Sequence, residues 1–151
     1  MKRIAVIGAG SWGTTLAQVL NDNGHKVALW VRNPEKANKI AHSRYNADYL
    51  PQLKLADAIE ISSDLTQAVS NAEILLLAVP SHGMADLCCQ LSKITDCTDK
   101  VSVSCTKGFE YHSGLRMSEI IKSYFPSATV AVLSGPNHAE EIAIRQPSAT
   151  V

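Results

Sequence analysis

The apolar positions of this chain fall into short runs separated by stretches with helical spacing. Residues 3–7 (RIAVI) form an apolar run cut off by glycines, the pattern of a strand buried on both faces. From Ser11 to Asn23, Leu16, Val19 and Leu20 recur at helical spacing, and Asn23-Gly24 supplies a stop. Residues 26–31 form the next β-rich run, and Pro34 suits the first turn of a helix reaching about His42. Residues 59–62 alternate as a partly exposed strand does. Residues 73–79 are a continuous apolar run, predicting a central strand stopped by Pro80. Residues 101–104 and 129–133 repeat the strand signal, with helix-length segments at 84–91 and 115–124 between them; Met117, Ile120 and Ile121 share one stripe of the second. Strands alternating with helices predict an α/β fold around a doubly wound, mostly parallel sheet.

The 151 residues, 46% of them hydrophobic, suit one globular domain spanning 1–151. No repeat, low-complexity tract or flexible linker divides the chain. Residues 146–151 read as a turn entering a further strand, so the expectation is a domain cut from a longer protein. Lys plus Arg and Asp plus Glu each total 14, which gives no long-range field to attract nucleic acid or an anionic membrane; a small-molecule partner is expected instead. No apolar run reaches the roughly 20 residues of a membrane span. Only four apolar or small residues separate Met-Lys-Arg from Gly8, too few for a signal peptide, so the expected location is cytoplasmic. Cys88, Cys89, Cys97 and Cys105 contain no C-x-x-C pair and are expected as reduced thiols in or near the core. The five histidines have no paired spacing, and no metal is expected.

Residues 8–13 (GAGSWG) fit G-x-G-x-x-G directly between a predicted strand and a predicted helix. In a dinucleotide site Gly8 permits the tight turn, Gly10 lets backbone approach a pyrophosphate, and Gly13 lets helix and strand pack closely. The helix start at Ser11 then offers free N–H groups and a partial positive charge to phosphates. A glycine-rich turn that only packs is the bland alternative. At the end of the second strand an NAD-selective site carries Asp or Glu for the ribose 2′-hydroxyl, whereas this chain has Arg32 followed by Asn33. A guanidinium pairs with a 2′-phosphate, so NADP(H) is the expected cofactor, with NAD(H) admissible. Arg32 as a solvated surface charge, or as a group that only stacks on the adenine, is the competing reading.

Lys107 follows the strand at 101–104 and so falls at a carboxyl end of the sheet, where ligands of open α/β folds bind; Gly135 and Pro136 follow the strand at 129–133 in the same way. A surface lysine and an ordinary turn are the plainer alternatives. His138 is expected in a loop or at a helix start, with Glu140 and Glu141 in the first turn of a helix.

Together with GAGSWG, the stretches NADYLP (46–51), AVPS (78–81), TKGFE (106–110) and LSGPNHAE (133–140) resemble, in order, successive motifs of the NAD(P)-dependent glycerol-3-phosphate dehydrogenase family. The resemblance spans essentially the whole chain and implies a Rossmann-like cofactor domain. It implies an enzyme interconverting dihydroxyacetone phosphate and sn-glycerol 3-phosphate for glycerophospholipid synthesis. By position, Ser11, Trp12, Arg32, Asn33, Tyr49 and Ala139 would line the cofactor, Lys107 would sit between cofactor and substrate, and Gly135 and Asn137 would approach the substrate. Asn137 departs from the Ser or Thr common in the family, which replaces a hydroxyl by an amide. The family's proton-transfer lysine belongs to a C-terminal helical domain outside this chain, so the chain alone is expected to bind cofactor with little turnover; full-length members are expected as homodimers. Two other readings stay open: a non-catalytic NADP(H)-binding sensor module, and a related hydroxyacid dehydrogenase.

Overall fold

A computed structural model describes all residues, 1–151. β1 (Arg3–Ile7), β2 (Lys26–Trp30), β5 (Glu60–Ser62), β6 (Ile74–Leu77), β7 (Val101–Ser104) and β8 (Thr129–Val132) form one sheet in the order β5-β2-β1-β6-β7-β8, with all pairings parallel. Renumbered within the sheet, this is the 3-2-1-4-5-6 order of doubly wound dinucleotide folds, with its switch point between β1 and β6.

The continuous apolar runs follow from a sheet covered on both faces. Ala5, Ile7, Leu75 and Leu77 face one core with Met84, Leu87, Ile120 and Ile121, from α4 (Met84–Ser92) and α5 (Met117–Tyr124), and with Ala68 and Val69 of α3 (Leu65–Ser70). Their chain neighbours Ile4, Val6 and Leu76 face the other core, with Leu16 and Ala17 of α1 (Ser11–Asp22) and Ala37 and Ile40 of α2 (Pro34–Ser43). Cys88, Cys97 and Cys105 are buried in these cores and Cys89 is half-buried. No helix is long and apolar enough to cross a membrane.

Three expected strands are shorter than their apolar runs. Val31, Ala78 and Leu133 lie just beyond β2, β6 and β8, yet each still donates a backbone bond to the neighbouring strand, at 2.9 Å to Ser62, Ile7 and Ser104 respectively. The apolar run therefore continues one step into the loops that turn toward the carboxyl edge. Three elements were not signalled by periodicity. The hairpin of β3 (Tyr45–Asn46) and β4 (Leu50–Lys54) is mostly exposed and contains Pro51, and the single-sided α3 is only six residues long. Residues 146–151 form no regular strand, but Val151 and Ser134 exchange two backbone bonds of 2.8 and 2.9 Å. The short helix α6 (Ala139–Ala143) carries Glu140 and Glu141 in its first turn.

Candidate functional site

A cleft of about 830 Å³ opens over the carboxyl ends of β1, β2, β6 and β7. Its floor is the turn after β1. Gly8 takes φ +114°, and a Cβ there would lie 2.5 Å from the Ala78 carbonyl oxygen. A Cβ on Gly13 would lie 1.9 Å from the Gly8 carbonyl oxygen, so no larger residue fits between helix and strand. Gly10 differs: nothing lies within 4 Å of its Cβ position, which opens into the cleft. The turn is thus a cradle whose empty space a side chain at position 10 would fill. Gly10 caps α1 without a side chain, leaving the first-turn N–H groups facing that space.

The hairpin β3–β4 holds this turn from outside. The buried Asn46 donates through Nδ2 to the Ala9 carbonyl and to Thr14 Oγ1, both at 2.8 Å. Ser11 Oγ reaches the Tyr49 carbonyl at 3.5 Å, and the Tyr49 side chain lines the cleft, half-exposed. Trp12 lines it as well.

At the β2 end, Arg32 lines the cleft and is exposed, with no ion-pair partner. Asn33 caps α2 by accepting from the Lys36 amide at 3.0 Å and lines the cleft. Lys36 stands in the same wall, its Nζ 2.6 Å from Asp48 Oδ2 and 5.9 Å from the centre of the Tyr49 ring. The hydrogen bond between them, then their opposite charges, raises the Lys36 ammonium above its ordinary range and lowers the Asp48 carboxyl.

At the far end, Thr106 Oγ1 donates to the Val79 carbonyl at 2.6 Å, tying the loop after β7 to the loop after β6. That bond positions Lys107, whose Nζ reaches the Asn137 carbonyl at 3.4 Å. Asn137 is buried. Its Nδ2 donates to the Ala149 carbonyl at 2.7 Å, while its Oδ1 accepts from nothing. A buried acceptor without a donor costs about 1–3 kcal/mol, so a wall carrying one fits a ligand that brings a hydroxyl. Thr15 Oγ1 donates to the Ala139 carbonyl at 3.1 Å and fixes the start of α6 against α1.

The cleft wall thus brings together Gly8, Gly10, Ser11, Trp12, Arg32, Asn33, Tyr49, Lys107, Asn137 and Ala139. Gly13 lies behind it. Gly135 is also away from the wall: at φ +141° it packs against residues 149–150, where a Cβ would meet the Ala149 carbonyl at 2.8 Å. Sequence reasoning gave no role to Lys36, Thr106, Thr14 or Thr15. Buried threonines in an otherwise apolar helix face are the one signal that would have marked the last two.

The family model described as NAD-dependent glycerol-3-phosphate dehydrogenase N-terminus matches residues 3–151. The chain is 45% identical to a glycerol-3-phosphate dehydrogenase of the NAD(P)+ type from Corynebacterium kroppenstedtii, covering the whole chain and 46% of that relative. It is 41% identical to the Bacillus subtilis protein of the same description, over 98% of the chain and 44% of the relative. The crystal structure of glycerol-3-phosphate dehydrogenase from Coxiella burnetii superposes with a TM-score of 0.92 at 30% identity, over 99% of this chain and 45% of that one. The chain therefore spans slightly under half the length of the relatives it matches.

Proposed function

The chain belongs to the NAD-dependent glycerol-3-phosphate dehydrogenase N-terminus family, and from that premise we propose that it is the dinucleotide-binding part of an oxidoreductase interconverting dihydroxyacetone phosphate and sn-glycerol 3-phosphate. The observation that carries the reading is the glycine cradle: Gly8 and Gly13 are forced by backbone contacts, while Gly10 leaves open space at the start of α1. That is the shape and polarity a pyrophosphate requires.

NADP(H) is the preferred cofactor in this reading, with NAD(H) second. Arg32 and Asn33 offer donors where a ribose 2′-phosphate would lie, and no carboxylate ends β2 to accept from a free 2′-hydroxyl. Ser11, Trp12, Tyr49 and Ala139 complete the cofactor wall. The nicotinamide supplies or accepts the hydride when bound. As a ketone is reduced, negative charge grows on its oxygen, and the Lys107 ammonium is placed to stabilise it. Asn137 Oδ1 is the acceptor available for a substrate hydroxyl. Gly135 supports this end by letting residues 149–150 approach Asn137. Proton transfer belongs to a lysine of a C-terminal helical domain, which in this reading also pairs two subunits. The setting is cytoplasmic glycerophospholipid synthesis.

Calorimetric titration of the chain with NADPH and NADH, repeated on Arg32→Asp, tests the cofactor assignment. NADPH is expected to bind at least about tenfold tighter, with the substitution erasing or reversing the gap. Equal binding of the two cofactors removes Arg32 as selector. Binding of neither overturns the dinucleotide reading. Turnover of another ketone, with none of dihydroxyacetone phosphate, by the full-length enzyme overturns the substrate.

A further inference from the structure

The ribose end of the cleft holds two cations in different states. Arg32 has no carboxylate partner, whereas Lys36, in the first turn of α2, is paired with Asp48 across the hairpin turn. A cation in the first turn of a helix opposes the helix dipole, so Lys36 stands in an unfavourable place unless an anion faces it. In this structure Asp48 is that anion. Asp48 cannot follow Lys36 into the cleft, because Asn46 and the Tyr49 backbone fasten the hairpin to the glycine turn. Lys36 is free to move: its ammonium sits on a flexible four-carbon stem with half its side chain exposed. Asp48 also feels the charge of Lys39, one turn further along α2, so its carboxylate is not stranded if Lys36 departs.

Resting on the dinucleotide reading above, we propose that Lys36 is a second cofactor-selecting cation, exchanging Asp48 for the 2′-phosphate of NADPH and remaining on Asp48 when NADH is bound. The exchange has a definite direction. A phosphate monoester carries a charge of about −1.5 to −2 at neutral pH, against −1 for a carboxylate, and offers three acceptor oxygens. A free 2′-hydroxyl offers no charge at all, so nothing draws the ammonium away. Asp48 is then a competitor for the selecting cation, and the Lys36–Asp48 pair sets how strongly NADPH is preferred.

The test measures dissociation constants of NADPH and NADH, by calorimetry, for the full chain and four variants: Lys36→Met, Lys36→Arg, Asp48→Asn and the double variant Lys36→Met with Asp48→Asn. Lys36→Met is expected to cut the NADPH-over-NADH ratio by about tenfold, the scale of one charged hydrogen bond, while NADH binding stays within about twofold. Lys36→Arg is expected to retain most of the ratio. Asp48→Asn is expected to widen it by about threefold, and that gain should vanish in the Lys36→Met background. An unchanged ratio in Lys36→Met, equal loss of both cofactors, or a persisting Asp48→Asn effect in the double variant overturns the exchange while the cofactor site stands. Failure of the unsubstituted chain to bind either dinucleotide overturns the underlying reading and this inference with it.

Discussion

Asn46 Nδ2 lies 2.8 Å from the carbonyl oxygen of Ala9, so the hairpin grips the glycine turn directly. The same nitrogen reaches Thr14 Oγ1 inside α1; that contact is buried, and the one to Ala9 is part-buried. Asn46→Ala leaves a buried hydroxyl and a part-buried carbonyl each short of one donor, a cost of about 1–3 kcal/mol. The expected outcome in urea unfolding is a loss of about 2 kcal/mol, together with weaker binding of both NADPH and NADH. Because Asn46 fixes the glycine turn rather than the end of β2, the ratio between the cofactors should not change. A changed ratio with unchanged stability would place Asn46 in a different role.

Two glycines three residues apart, Gly10 and Gly13, should respond differently to the same substitution. At Gly13 an added Cβ falls 1.9 Å from the Gly8 carbonyl oxygen, a backbone atom that cannot step aside. Gly13→Ala should therefore lower stability by more than about 3 kcal/mol or prevent folding. At Gly10 the backbone is extended at φ −74° and the Cβ position is empty. Gly10→Ala should keep the melting temperature within about 3 °C, yet place a methyl group in the cradle proposed for the pyrophosphate and weaken dinucleotide binding at least about tenfold. Thermal melts and calorimetry on the two variants distinguish the roles.

The sheet was legible because its strands are buried on both faces, which gives runs such as residues 74–77 that no amphipathic helix mimics. The glycine turn was legible because each glycine answers a separate geometric demand. Lys36 was not, since its importance depends on Asp48, twelve residues away across a hairpin whose exposed strands have no hydrophobic period. Gly135 shows the opposite limit. Its place after β8 at the carboxyl edge pointed to the cleft, but the chain returns at residues 149–151 and takes up the space beside it.

Acid should loosen the loop after β7 before it unfolds the sheet. Glu110 accepts from Ser113 Oγ at 2.7 Å, Ser113 N at 2.6 Å and His112 N at 3.0 Å, which lowers its pKa to about 2. Glu119, held by the Arg116 side chain and then its amide, is likewise lowered to about 2. A carboxyl lowered in the folded state stabilises it fully above the unfolded value of 4.5, and that contribution disappears as pH falls toward about 2. Both groups are exposed, so the effect is modest and salt-sensitive. Urea midpoints of the chain and of Glu110→Gln, measured from pH 6 to pH 2.5, should differ most at pH 6 and converge in acid. A constant difference across that range would mean that the carboxylate charge plays no part.

Asn137 combines a made bond and an unmade one, and their magnitudes decide what its removal does. Its Nδ2 donates to the Ala149 carbonyl at 2.7 Å and holds residues 146–151 beside the cleft. A bond of this kind contributes about 0.5–1.5 kcal/mol net, whereas the unpartnered buried Oδ1 costs about 1–3 kcal/mol. Asn137→Ala removes both, so global stability is expected within about 1 kcal/mol of the unsubstituted chain, despite the loss of a short, part-buried hydrogen bond. The local effect should be larger. Val151 donates to Ser134 at 2.8 Å, and with the Ala149 anchor gone its amide should exchange at least about fivefold faster. A global loss above about 2 kcal/mol would show that Oδ1 is satisfied in the free chain, and would end its case as an acceptor held open for a substrate hydroxyl.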